Sequence, residues 1–197
     1  MNKRHLENKI VSKILDNLYF ASKPGITIAS PSTNPPYQYH WIRDAALSIR
    51  VFIDLYQKTK DNKYFIHILD YIEAESKIQK LKTLSGLGEP KIKIDVLPYN
   101  GPWGRPQNDG PALRCINLIK IRNIIKNKYS EIFLKMIDPM IKKDVKYILQ
   151  KYNQICFDLW EEIEGWHFYT RMVQLKCLKD YIKMEVQLLK IDDIRKI

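Results

Sequence analysis

The chain has 197 residues, 45% of them hydrophobic and 11% aromatic, which is enough apolar material for one or two packed domains and excludes a disordered segment. Its net charge of +11 comes from 33 Lys and Arg against 22 Asp and Glu; the basic residues fall in ones and twos, as in Ile121-Arg122-Asn123-Ile124-Ile125-Lys126-Asn127-Lys128, a solvated surface and not a nucleic-acid patch. No apolar run approaches the roughly 20 residues that cross a bilayer, and the start, Met1-Asn2-Lys3-Arg4-His5-Leu6-Glu7, lacks the apolar stretch of a signal peptide, so neither membrane nor nucleic acid is expected as a partner and a cytoplasmic setting is.

In chain order, a weak helix at about residues 5 to 18 comes first. The stretch Ser30-Pro31-Ser32-Thr33-Asn34-Pro35-Pro36 is too rich in proline for a helix, and Tyr37, Tyr39 and Trp41 after it alternate as in an extended strand. Residues 45 to 56 are apolar at nearly every position, which predicts an inner helix buried almost all round. Beyond Asp61-Asn62, Phe65, Ile68, Leu69, Ile72, Ile78 and Leu81 mark a one-faced outer helix. Residues 85 to 111 hold five of the seven glycines and five of the ten prolines; an irregular connection of that length in a helical protein is usually functional.

Ala112, Leu113, Cys115, Ile116, Leu118, Ile119 and Ile121 then crowd a second inner helix. Phe133, Met136, Ile137, Met140, Ile141, Val145, Ile148 and Tyr152 stripe a second outer one, which Pro139 is expected to kink or divide. A last helix runs from about 168 to 195. Six helices that alternate between buried and amphipathic predict an all-α protein built of helical hairpins in two layers. The three cysteines, Cys115, Cys156 and Cys177, are too few and too scattered for a disulfide framework or a metal knuckle and read as small core residues.

Tyr37, Tyr39, Trp41, Tyr99, Trp103, Trp160 and Trp166 offer flat apolar faces that suit the C–H faces of pyranose rings. Arg43, Asp44, Arg105, Gln107, Asp109 and Arg114 offer partners for sugar hydroxyls. Each also has an ordinary reading: Asp44 as a group at a helix start, the tryptophans as core, Glu161-Glu162 as surface charge.

In combination the motifs are more specific. Ile28-Ala29-Ser30-Pro31-Ser32 with Tyr37-x-Tyr39-x-Trp41-x-Arg43-Asp44, then Gly86-Leu87-Gly88-Glu89-Pro90-Lys91, then Trp103-Gly104-Arg105-Pro106-Gln107-x-Asp109-Gly110-Pro111-Ala112-Leu113-Arg114, and finally Asp158-Leu159-Trp160-Glu161-Glu162 occur in an order that resembles the glucoamylases of the inverting glycoside hydrolases. The resemblance implies the first half of an (α/α)6 toroid of six helical hairpins, with long loops carrying the site, and makes residues 1–197 the N-terminal portion of a truncated catalytic domain. It implies hydrolysis of terminal α-1,4-glucosidic bonds of starch, maltooligosaccharide or glycogen-like glucans, with release of β-glucose and with no metal or organic cofactor.

By motif position, Glu161 resembles the general acid and Glu162 a sugar-binding residue on the leaving-group side. Arg43 and Asp44 resemble the pair holding the terminal glucose, Trp103 its aromatic lid and Tyr37 a stabiliser of the developing cation. Arg105 and the backbone at Leu159 and Trp160 complete the pocket by the same analogy. An inverting glycosidase also needs a carboxylate base, and the resemblance places it in the C-terminal half, beyond Ile197, so a separate chain supplying that half is an expected partner. The alternative is a non-catalytic remnant that binds glucan or a partner.

Overall fold

Helices occupy the stretches in which apolar residues recur at three- and four-residue steps, and most of the glycines and prolines lie in the irregular stretches between them. The computed structural model describes residues 3–21, 23–125 and 131–194. Lys126, Asn127 and Lys128 of the scattered basic series, and residue 195 at the end of the last expected helix, lie outside the described residues. The chain divides into two units, Met1–Trp103 and Gly104–Ile197.

The first unit holds α1 (Lys3–Tyr19), α2 (Ile42–Thr59) and α3 (Asn62–Ile78). α2 packs on α3 through Phe52, Ile53, Tyr56, Ile68, Tyr71 and Ile72, all essentially buried. The break between them is chemical: Lys60 takes a left-handed conformation that ends α2, and the Asp61 carboxylate accepts the Lys63 N–H at 3.0 Å to start α3. A second cluster, Ile26, Ile42, Ala74, Ile78 and Ile92, ties the loops to this pair. Gly25, at φ +78°, lies so close to α3 that a Cβ there would sit 2.1 Å from the Asp70 carbonyl oxygen, so only glycine fits.

α2 departs from the expectation of burial on every side. Its buried residues form one face, while Leu47 and Asp54 are exposed, because within this unit α3 is the helix that packs on it.

The second unit holds α4 (Gly110–Ile125), α5 (Glu131–Lys151) and α6 (Phe168–Ile194). α4 packs against both α5 and α6 and is buried at nearly every position, as an inner helix should be. α5 runs unbroken through Pro139, so the proline does not divide it. Pro139 and Lys135, whose carbonyl loses its i+4 donor, both lie on the exposed side, where water replaces the missing bond. Cys115, Cys156 and Cys177 are all buried with free thiols.

Burial on all sides of α4 encloses polar groups, and they are matched. Arg114 donates from Nε to Asp144 Oδ2 at 2.9 Å and from Nη2 to Oδ1 at 2.6 Å, with both side chains at most 1% exposed. Near the other end of the helix Arg122 pairs with Asp138 at 2.6 Å. Removing one partner of such a pair leaves a buried charge without its counter-ion. Asp144→Ala is therefore expected to destabilise the protein by about 3–5 kcal/mol, and Arg114→Met combined with Asp144→Leu to recover most of that loss; urea unfolding followed by circular dichroism measures both.

Candidate functional site

In the first unit the proline-rich segment folds back on itself through Ala29 N–H to the Tyr39 carbonyl and Ser30 N–H to the Tyr37 carbonyl, both at 3.2 Å, and Tyr37 N–H to the Ser32 carbonyl at 3.0 Å. The expected strand is short: β1 (His40–Trp41) pairs antiparallel with β2 (Lys91–Ile92), setting Trp41 opposite Lys91. Because side chains alternate along an extended chain, Tyr37, Tyr39 and Trp41 gather, with ring centroids 5.7 Å apart for Tyr37–Trp41 and 5.9 Å for Tyr39–Trp41. Tyr99 joins Tyr39 at 5.2 Å, and Trp103 joins Trp41 at 5.9 Å.

Lys91 stands inside this aromatic box, fully buried. Its ammonium lies 3.0 Å from the Trp103 ring centroid, 4.2 Å from Tyr99, 4.5 Å from Tyr39 and 4.8 Å from Trp41. Four ring faces around a desolvated cation make a strong electrostatic clamp. The Trp103 indole N–H is buried and has no hydrogen-bond partner among the described residues.

Strand β1 is anchored from behind. His40, also fully buried, accepts the Thr27 N–H on Nδ1 at 3.1 Å, which fixes the Nε2–H tautomer, and donates from Nε2 to Glu75 Oε1 on α3 at 3.0 Å. Trp41 is the N-cap of α2, so Arg43 and Asp44 fall in its first turn, with Arg43 Nε 3.9 Å from Asp44 Oδ2. Asp44 is thus not the capping residue, although the helix dipole favours its charge there. Tyr37 is exposed, and Arg43, Asp44 and Trp103 are half-buried.

In the second unit β3 (Cys156–Phe157) and β4 (Glu164–Gly165) form an antiparallel pair whose loop carries Asp158, Leu159, Trp160, Glu161 and Glu162. The Phe157 N–H donates to the Pro106 carbonyl at 2.9 Å, which brings the segment of Arg105 and Gln107 beside that loop. Gly104 is there by necessity, since a Cβ would meet Phe157 at 2.7 Å and the Glu161 carbonyl at 2.8 Å. Gln107, 2% exposed, donates from Nε2 both to the Gly104 carbonyl and to Glu161 Oε1, each at 3.0 Å.

Asp158 organises the loop. Its Oδ1 accepts the N–H groups of Glu162 at 2.8 Å and Ile163 at 3.0 Å, and its carbonyl accepts the Glu161 N–H at 3.1 Å. Partial burial pushes its carboxyl up, but the N–H groups of Ile163, Glu162 and Trp160 outweigh this and hold it below the usual carboxylate range. The tight turn leaves Glu161 at φ +70°, a strained conformation for a residue with a Cβ and one that concentrates at functional sites. Glu161, Leu159 and Arg105 are half-buried, and Glu162 and Trp160 are exposed, Trp160 at 76%.

The expected residues therefore gather in two clusters, with Tyr37, Arg43, Asp44 and Trp103 in one unit and Arg105, Leu159, Trp160, Glu161 and Glu162 in the other. Arg114, a candidate for sugar hydroxyls, instead faces Asp144. Sequence reasoning gave no role to His40, Glu75, Lys91 or Asp158. Lys91 closes a quoted motif, so its place was marked and its aromatic setting was not. Nothing local signals the His40–Glu75 bond, whose members are 35 residues apart.

The Asp158 carboxyl is lowered in the folded state, so its contribution is complete above the ordinary carboxylate value of about 3.9 and is lost as pH falls through the folded value. Hydrogen exchange should show the Glu162 and Ile163 amides protected at neutral pH, losing protection on acidification, and unprotected at every pH in Asp158→Ala. Glu161→Gly should be more stable than Glu161→Ala by about 1–2 kcal/mol, because both lose the Gln107 contact and glycine alone relieves the positive φ; thermal melts of the two variants give the difference.

The family model of glycosyl hydrolases family 15 matches residues 6–191. The chain is 36% identical over 194 residues to glucoamylase-1 of Arthroderma benhamiae, covering 91% of this chain and 32% of that protein. It is 34% identical over 193 residues to the intracellular sporulation-specific glucoamylase of Saccharomyces cerevisiae, covering 85% and 34%. Among solved structures, the glucoamylase of Saccharomycopsis fibuligera superimposes with a TM-score of 0.80 at 28% identity, over 96% of this chain and 46% of that one. This coverage fits the all-α first half of a helical toroid. The chain spans about a third of the length of the curated relatives it matches, and it belongs to glycosyl hydrolases family 15, the glucoamylase family.

Proposed function

We propose that residues 1–197 are the N-terminal portion of a glucoamylase catalytic domain, acting on terminal α-1,4-glucosidic bonds of starch-like glucans with release of β-glucose. Glu161 is the general acid that protonates the departing glycosidic oxygen. Arg43, Asp44, Tyr37 and Trp103 bind the terminal glucose, and Arg105, Leu159, Trp160 and Glu162 bind around the scissile bond. A cytoplasmic setting belongs to the same proposal, supported by the printed name of the intracellular yeast relative and compatible with the finding that no described helix is long and apolar enough to cross a membrane.

The observation that carries this reading is the held carboxyl. Glu161 stands at a strained corner with one oxygen fixed by the buried Gln107, the kind of preorganisation an acid needs to meet a leaving-group oxygen. Inversion also needs a second carboxylate roughly 6.5–9.5 Å from the acid to hold the attacking water. The proposal assigns that base to a segment outside residues 1–197, on the same or a separate chain.

Purified chain incubated with maltoheptaose is accordingly expected to release no glucose alone. With a complementary glucoamylase segment present, it should release β-glucose, read by proton NMR, and Glu161→Gln should abolish the release. Release by the chain alone, lost in Glu161→Gln, would overturn the assignment of the base. A second reading, a glucan-binding remnant, is favoured by the aromatic box, which stands complete without the acid cluster. It predicts retardation of the chain in starch-containing gels that Trp103→Ala removes.

A further inference from the structure

The hairpin that carries Glu161 continues past its turn to a tryptophan that none of the roles assigned so far uses. The Asp158 N–H donates to the Ile163 carbonyl at 3.0 Å and closes the turn; Trp166 stands three residues further on, about 10 Å along the chain at roughly 3.3 Å per residue. The strand register sets Glu164 opposite Phe157, and by alternation along the extended chain Trp166 falls on that same face. Its ring is braced. The Arg171 guanidinium lies over it, 4.9 Å from the ring centroid, and donates in turn to the Tyr152 carbonyl. His167, next in the chain, donates from Nε2 to the Cys156 carbonyl at 3.0 Å. A fixed cation thus covers one part of the indole, while the residue stays 57% exposed, an arrangement that holds a flat ring in place without burying it.

The surroundings select what the ring could hold. Trp160, Ile163 and Phe168, all within eight residues of Trp166, are 76%, 63% and 82% exposed, a concentration that singly scattered apolar residues do not produce. Glu162 and Glu164 stand among them, exposed and with no side-chain partner among the described residues. An apolar protein surface laid here would strip those carboxylates of water without pairing them. A glucan chain would not, because its C–H faces cover rings and its hydroxyls donate to carboxylates. We propose that Trp166, braced by Arg171, is an added subsite for glucose units of the leaving group beyond the first, so that this chain grips long α-1,4-glucans better than short ones. This rests on the reading of Glu161 as the acid, which puts the departing part of the glucan on this hairpin.

Chemical-shift titration of the full 197-residue chain tests the subsite. The Trp166 indole N–H resonance, assigned by its loss in Trp166→Phe, is expected to move on addition of maltoheptaose and to stay in place with maltose. Maltoheptaose should bind more tightly than maltose by about three- to tenfold, the worth of one further stacked ring. Trp166→Ala should remove that advantage and leave both the affinity for maltose and the thermal melt unchanged. Trp166→Tyr, which keeps a flat ring, should retain most of it, and Arg171→Ala should lose part of it.

A stationary indole resonance, a length advantage that survives Trp166→Ala, or no binding of maltoheptaose at all would overturn the subsite. Equal losses for maltose and maltoheptaose with a lowered melt would reduce Trp166 to a structural residue. A loss in Trp166→Tyr as complete as in Trp166→Ala would rule out stacking as the cause. Trp103→Ala, at the residue assigned to the terminal glucose, should instead weaken both ligands alike. An unchanged affinity in that variant, or no β-glucose in the complemented reaction, counts against the proposed function and leaves the Trp166 result to be read by itself.

Discussion

Long irregular segments in a helical protein bring backbone N–H and C=O groups out of helical pairing, and each must find another partner. The candidate residues all sit on or beside such segments, so their geometry depends on how the backbone is tied. Two ladders of two residues each, β1–β2 and β3–β4, do part of this. Buried or partly buried side chains do the rest. His40 fixes one ladder to α3 through Glu75, Asp158 gathers the N–H groups of the loop between β3 and β4, and Gln107 bridges a backbone carbonyl and Glu161. A loop pinned in this way has its shape set by individual hydrogen bonds more than by hydrophobic burial.

The same economy governs charge. Lys91, Arg114 and Asp144 are among the least exposed residues of the chain, and a buried ion without a matched environment is strongly unfavourable. The two environments differ in kind. Arg114 meets a carboxylate in a forked, two-bond geometry that serves the helix packing. Lys91 meets ring faces, which stabilise a cation without occupying it in a fork.

Much of the fold was legible in the sequence because helices write their packing locally. The crowded apolar run at Ala112–Ile121 and the stripe from Phe133 to Tyr152 give α4 and α5 directly. α2 misled because an apolar run states what a helix is able to bury and not how many neighbours it has; Leu47 stays exposed. Of the two outcomes expected for Pro139, division of the helix does not occur, since a missing hydrogen bond on the solvent side has a cheap substitute. The candidate residues were marked by motif, but their supports were not. His40 lies 35 residues from Glu75, Tyr39 lies 52 from Lys91 and Glu161 lies 54 from Gln107, and a pairing over such a separation leaves no period to read.

α6 was legible as a helix and illegible in its role for the same reason. Thr170 and Gln174 lie on its buried side and Phe168, Leu175 and Ile182 on its exposed one, so its apolar residues mark no single direction. Thr170, Gln174, Cys177 and Met184 mark the side that packs against α4, which lets the second unit hold its own core.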